Sequence, residues 1–252
     1  MVHDLTTILA EERKVFAAFN VWRSISPRVT AFASPDTDEI PHWNMAYPHK
    51  LPERYTPDEM AEIESFFRTY SRKAHLLSTD VSWESEAVEV SEYFSSAGGR
   101  ILSTPGIELL EFNTGSNELF GPFNEILAAG FRLDQRSAAY FKKQLAHLSE
   151  RLQSRFWIAR ERSRFCAIAS TFAVRPSVDF LFNVVVLPEY EGRGIATRLL
   201  ADILRQTNQT IYVYSHNPAM RDQVLPKLGF RSEGVISVVP LMTYQARLRT
   251  TT

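Results

Sequence analysis

The chain has 252 residues, 44% of them hydrophobic and 23% charged, with a formal net charge of -1. That apolar content supports a sizeable core, as one long domain or two modest ones, while the near-zero charge gives no field to draw in nucleic acid, and no basic run interleaved with aromatics supplies one locally. The single cysteine, Cys166, excludes a disulfide framework, and its place in the apolar run Phe165–Ala169 reads as a buried, inert thiol.

The N-terminus mixes Asp4, Glu11, Glu12, Arg13 and Lys14 with scattered apolar residues, so it lacks the core of a signal peptide. No stretch approaches about 18 consecutive apolar residues, and the expectation is a cytoplasmic protein without a membrane partner. From Asp4 to Phe19 the residues Leu5, Ile8, Leu9, Val15 and Phe19 predict a helix, and Val29–Ala33 predicts a strand. A second helix is announced by Thr56 as cap, Pro57 at the first helical position and Glu59 completing a capping box, with Met60, Ile63, Phe67 and Tyr70 as its buried stripe. His75–Thr79 is a short strand candidate. Turn-forming residues cluster at Ser103–Gly106, which places a domain boundary there: 1–104 as an amino-terminal α/β half and 105–252 as a second domain.

Beyond that boundary Ile107–Phe112 reads as an opening strand, the segment around Phe123, Ile126 and Leu127 as a short helix, and Phe141, Leu145, Leu148 and Leu152 as a longer one. Arg155–Ala159 and Phe165–Val174 flank the charged turn Arg160–Arg164 and predict an antiparallel hairpin. The next run carries the most information. Apolar, β-branched residues from Leu181 to Leu187 favour a strand, Pro188 ends its pairing, and Gly192 and Gly194 let backbone approach a ligand with no Cβ in the way. Ile195, Leu199 and Ile203, with Ala196, Leu200 and Leu204, then give a helix one broad core face. The unpaired N–H groups of its first turn, at the positive end of the helix dipole, suit a pyrophosphate. A strand turning tightly into an ordinary core helix would leave the same pair of glycines.

The sequence continues with a strand at Thr210–Tyr214, then Ser215-His-Asn-Pro218, a brief helical segment, and Leu228-Gly-Phe230. With these residues the chain resembles the GNAT superfamily of acyl-CoA-dependent N-acyltransferases. The family pattern R/Q-x-x-G-x-G/A aligns with Glu191–Ala196, and its N-x-x-A…G-F signature is echoed by Asn217 and Gly229-Phe230; the likeness covers roughly Phe156 to Tyr244. The resemblance implies an α/β (α+β) fold, a mixed and mostly antiparallel sheet flanked by helices, with the amino-terminal α/β half added. It implies transfer of an acyl group, most simply acetyl from acetyl-CoA, to the amine of a small molecule or peptide, by direct attack in a ternary complex and with no metal. Backbone groups of Val184 and Val186 would pair with the pantetheine arm, Glu191, Gly192, Arg193, Gly194, Ile195, Ala196 and Thr197 would surround the pyrophosphate, and Asn217 would contact the coenzyme further along.

Two positions depart from the family. Glu191 stands where Arg or Gln is usual, and a carboxylate about 6 Å from one phosphate charge at an effective dielectric near 20 would cost roughly 3 kcal/mol before exposure and salt reduce it. Arg193 and Arg198 are the residues placed to offset it. Leu225 stands where many members carry the tyrosine that protonates the leaving thiolate, and Pro226 follows it. Ser215 and His216 are substitute acids, or a loop with a helix cap. Asp179 is a candidate base, or the cap of a turn; by alternation it lies with Asn183 on the face opposite Phe180, so a bulge is required to turn it into the site. A non-catalytic acyl-CoA binding or sensing module is the alternative function, and a GNAT fold without coenzyme affinity a third reading. The amino-terminal half resembles the degenerate first domain of two-part GNAT proteins at Trp43-Asn-Met-Ala-Tyr47, which makes Trp43, Asn44 and Tyr47 either an acceptor-site wall or core.

Overall fold

A computed structural model describes residues 4–34, 41–51, 54–96, 107–113, 117–207 and 209–250. In chain order the elements are α1 (Leu5–Phe19), β1 (Val21–Ser26), β2 (Val29–Ala33), β3 (Met45–Pro48), α2 (Pro57–Thr69), β4 (His75–Ser78), β5 (Glu89–Ser96) and β6 (Ile107–Phe112). Then come α3 (Asn117–Gly130), α4 (Gln135–Arg151), β7 (Ser154–Glu161), β8 (Arg164–Arg175), β9 (Val178–Val186), α5 (Ile195–Gln206), β10 (Thr210–Ser215), α6 (Leu225–Lys227), β11 (Phe230–Pro240) and α7 (Leu241–Thr250). The turn-rich stretch Ser103–Gly106, where the sequence suggests a boundary, lies outside the described residues.

Two compact units emerge, neither continuous in sequence. The first comprises Met1–Tyr93, Tyr214–His216 and Glu233–Thr252; the second comprises Phe94–Val213 and Asn217–Ser232. The strands β5, β10 and β11 each contribute residues to both.

In the first unit β1 and β2 form an antiparallel hairpin, β3 runs antiparallel to β2, and β4 runs parallel to β3 after the crossover helix α2. The helix starts where the sequence says it must: Thr56 Oγ1 accepts from Glu59 N at 3.2 Å, Glu59 Oε2 accepts from Thr56 N at 2.9 Å, and Pro57 supplies a preset φ. Its inward face, Met60, Ile63, Phe66 and Phe67, joins Tyr55, Trp83, Val239, Leu241 and Tyr244 in one core. Trp83 stacks on Tyr244 at 4.8 Å with Arg247 over its indole at 4.3 Å. A polar knot sits in the same unit. Glu12, fully buried in α1, accepts hydrogen bonds from Tyr93 Oη at 2.7 Å and Tyr47 Oη at 3.0 Å, tying α1 to β5 and β3. Desolvation first, and then the Glu12 charge, hold both phenols well above their ordinary pKa, so they remain donors.

In the second unit the strand order is β5-β10-β9-β8-β7-β6, antiparallel from β6 through β9 and parallel between β9 and β10. The order strand, two helices, three strands, helix, strand, helix, strand expected from about residue 105 is the order found. Alternation along β7 explains the two layers. Phe156 meets Phe123 of α3 at 5.3 Å and Phe172 of β8 at 6.1 Å, while its neighbour Trp157 turns to the opposite face and packs in the cluster that holds Ile195, Leu199 and Ile203 of α5. Cys166 is buried in that second cluster, as expected, and burial raises its thiol pKa. Among the described residues no helix is long and apolar enough to cross a membrane.

Replacing Glu12 by leucine removes the acceptor of two buried hydroxyls at about 1–3 kcal/mol each. For a chain of this size the Glu12→Leu midpoint is expected to fall by roughly 5–10 °C in a thermal melt. An unchanged midpoint would show that the carboxylate contributes no net stability.

Candidate functional site

The site is built around β9. Its parallel register with β10 covers only Val178–Phe180 against Thr210–Tyr212, although β9 runs on to Val186. On its other side β9 stays paired with β8 as far as Val186↔Ala167, but the register shifts between Phe182↔Ser170 and Val185↔Ile168, leaving one extra residue in β9. Asn183 occupies that bulge with φ +56, a left-handed conformation that asparagine tolerates better than its β-branched neighbours, and its Nδ2 donates to Ser170 Oγ at 3.1 Å. The stretch Leu181–Val186 therefore has no ladder partner on its β10 side among the described strands. Val184 and Val186 are half-buried there, with side chains against the α5 cluster.

After β9 the chain is pinned and then released. Leu187 N donates to Cys166 O, Tyr190 N to Leu187 O and Glu191 N to Pro188 O, and the Tyr190 ring is buried in the core. From there Glu191, Gly192, Arg193 and Gly194 are all exposed. Gly192 and Gly194 have φ +73 and +75, where an L side chain is strained, and a Cβ at either would meet nothing within 4 Å. Gly194 is the N-cap of α5 and offers no side-chain cap. Among the described residues the N–H groups from Gly192 to Thr197 make no hydrogen bond, the first backbone bond of the helix being Arg198 N to Gly194 O at 3.0 Å. Six unbonded backbone donors, the first three on exposed residues, at the positive end of a 12-residue helix could hold a pyrophosphate.

The charges around the cradle are mixed. Arg193 bonds Glu161 at 3.2 Å and lies over Tyr190 at 5.1 Å; this ion pair is largely exposed, so it holds Arg193 loosely. Arg198 is tied to Asp202 at 3.1 Å, and Arg205 also pairs with Asp202. Of the two arginines expected to offset Glu191, only Arg193 is placed to swing toward a phosphate.

The remaining candidates separate. Asp179 is 3% exposed, cross-strand from Ala173 and two residues before Leu181, on the α5 face with Trp157, Thr171 and Arg155. Desolvation pushes its pKa up and the charge of Arg155 pulls it back only in part. On the same face Trp157 Nε1 and Thr171 Oγ1 are buried without a hydrogen-bond partner among the described residues. Asn217 is exposed, its Oδ1 accepting from Ala219 N at 2.9 Å and Met220 N at 3.3 Å, so that atom caps the following turn. Ser215, buried, and His216, exposed, belong to the first unit. So do Trp43, half-buried, and Asn44 and Tyr47, both fully buried; Asn44 Oδ1 accepts from Ser34 N at 2.9 Å and Tyr47 is committed to Glu12. Leu225 is fully buried with Leu228 and Phe230. Pro226 cannot donate a helical hydrogen bond, and the preceding Met220–Val224 winds as a π-helix. A side chain at position 225 points into core. Among the described residues no group of three or more His, Cys, Asp or Glu is placed to hold a metal ion.

The bulge at Asn183 and the early end of β10 pairing are the parts of the site that the sequence did not announce, and a lone asparagine inside a β-branched strand was their signal.

Comparison with known proteins finds likeness over this stretch of the chain. The family described as acetyltransferase (GNAT) matches residues 122–230. A search of curated proteins found no match. Among solved structures, a GCN5-related N-acetyltransferase from Kribbella flavida is similar at a TM-score of 0.67 and 12% identity, over 94% of this chain and 95% of that one. A tandem GNAT protein from the clavulanic acid biosynthesis pathway is similar at 0.55 and 14% identity, over 84% and 78%. A GCN5-related N-acetyltransferase from Sphaerobacter thermophilus is similar at 0.55 and 11% identity, over 86% and 81%. The bulged strand, the glycine turn and the helix behind it thus lie within residues 122–230, the stretch that matches the acetyltransferase (GNAT) family, on a fold shared with these solved structures.

Proposed function

We propose that the protein is a GNAT-type N-acyltransferase that moves an acyl group, most simply acetyl, from coenzyme A to an amine of a small molecule or peptide. The observation that carries this is the row of unbonded N–H groups from Gly192 to Thr197, at the end of a strand whose edge is open from Leu181 onward. The bound thioester supplies the activated acyl group, and the chain's own residues do the rest. Gly192, Arg193, Gly194, Ile195, Ala196 and Thr197 hold the pyrophosphate, the backbone of Val184 and Val186 orients the pantetheine arm, and Asn217 lies further along. Fixing donor and acceptor together lowers the barrier more than any one proton transfer does.

Proton transfers are assigned by environment. Asp179 is the candidate base for the proton of the incoming ammonium: burial raises its pKa, although the bulge at Asn183 lies beyond it and leaves it on the α5 face. Leucine at position 225 leaves no acid at the family's usual position, and Ser215 and His216 are the candidate substitutes. That leucine also favours the second reading, an acyl-CoA binding or sensing module that turns over slowly or not at all.

A thermal melt with coenzyme A, acetyl-CoA and longer acyl-CoAs tests the assignment. A ligand at a hundred times its Kd adds about 2.7 kcal/mol to the folded state, and the transition is expected to rise by roughly 5–10 °C. Gly194→Trp is expected to abolish that rise while itself costing about 1–2 kcal/mol, because the residue sits at φ +75; a full ligand shift in the folded variant would refute the cradle. Glu191→Arg is expected to tighten binding by up to about tenfold, the exposure of this position screening the larger bare repulsion; looser binding would contradict the electrostatic argument.

For Asp179 the sign follows from linkage. Its folded pKa exceeds its unfolded value, so the native state binds more protons, and stability falls as pH rises through the folded pKa. Asp179→Asn is therefore expected to raise the melting temperature at pH 7 relative to wild type, to lose that advantage near pH 4, and to slow turnover. A variant with undiminished turnover would remove Asp179 from the chemistry.

A further inference from the structure

Helix α3 ends in a closed turn whose glycine is out of its usual place. Leu133 N donates to Ala128 O at 2.9 Å and Arg132 N to Ala129 O at 3.2 Å, the paired bonds of a Schellman stop, and the left-handed residue that such a stop needs is Arg132, at φ +52. Glycine is the common occupant of that position, because an L side chain is strained there. Here the arginine takes the strain, and the glycine lies two residues earlier as the last residue of the helix, where alanine is the better helix former. The helix stop therefore does not account for Gly130.

The strand beside it does. A Cβ on Gly130 would lie 2.1 Å from Val185 Cγ1, 3.2 Å from its Cβ and 3.3 Å from its Cγ2. Val185 cannot easily give way: it is 6% exposed, it pairs with Ile168 of β8, and its β-branched side chain is stiff about χ1. Turning its methyls aside would still leave the two Cβ atoms at 3.2 Å. Helix α3 is pinned upstream, where Phe123 meets Phe112 at 5.8 Å and Phe156 at 5.3 Å. Strand β9 is paired on one side only at this height, by β8, because its pairing with β10 ends at Phe180. A side chain at position 130 would thus displace β9 rather than α3, by roughly 1 Å or more before ordinary contact is restored.

Val185 sits between the two residues on which the coenzyme reading depends. Val184 and Val186 turn toward the α5 cluster and Val185 toward α3, and all three follow directly on the Asn183 bulge. We infer that Gly130 is a positioning residue of the coenzyme site: its missing side chain lets the last turn of α3 seat directly on Val185, and this contact sets the line of the open edge on which the pantetheine arm is held. The inference rests on the proposed acyl-CoA site. Hydrogen bonds from a strand edge weaken steeply once misaligned, and a displacement of about 1 Å in a positioning element can cost up to about a hundredfold. The glycine turn is fixed separately, by the bonds of Leu187 N to Cys166 O and Tyr190 N to Leu187 O.

Titration calorimetry of the full chain with coenzyme A, and with ADP, which carries the pyrophosphate but no pantetheine arm, tests this on variants whose melts show them folded. Gly130→Ala is expected to bind coenzyme A about tenfold or more weakly than wild type, and ADP as wild type does. Val185→Ala takes away both methyls that the new Cβ would meet, so Gly130→Ala/Val185→Ala is expected to return to within about threefold of Val185→Ala alone. Val185→Ile crowds the same contact from the strand side, is expected to weaken coenzyme A in the same direction, and replaces Gly130→Ala as the test if that variant does not fold. Unchanged coenzyme A affinity in the crowding variant, no recovery in the double variant, or an equal loss for ADP would each overturn the role of Gly130 and leave the coenzyme site standing. A wild type that binds no coenzyme A would remove the site itself, and the role of Gly130 with it.

Discussion

Everything in the second unit depends on one pair of strands parting. A parallel strand that stops pairing after Phe180–Tyr212 leaves a row of backbone groups that must find partners or stay in water. The protein keeps them near the surface and aligns with them the six unbonded donors that begin at Gly192. The bulge at Asn183 makes the parting possible, because it changes the direction of β9 while its pairing with β8 continues. Strand, bulge, glycines and helix together leave backbone groups unbonded along one line, where an extended anionic ligand could be held.

The sequence made much of this visible because its strongest signals are local. A capping box is four residues long, and Thr56–Glu59 was read from spacing alone. The same holds for the strand–glycine–helix run from Leu181 to Leu204, where periodicity changes from two to 3.6 at a proline and two glycines. Less legible were β3 and β5. The first has only four residues, all buried, too few to show alternation. The second, Glu89–Ser96, hides a buried strand behind serines whose burial depends on distant partners, Ser96 Oγ for instance accepting from Ile211 N at 2.8 Å. Such a contact joins residues 115 apart, and no local pattern encodes it. Tyr47 shows the same limit: its type suggests either a binding wall or core, and its burial against a carboxylate on α1 could not be read locally.

The division of the chain also constrains how the protein is made. The core of the first unit includes Val239, Leu241 and Tyr244, which are synthesised after every residue of the second unit, complete by Ser232. Domains ordinarily fold from the N-terminus during synthesis. Here residues 4–93 lack part of their core until β11 and α7 have been made, by which point the whole second unit has already been synthesised.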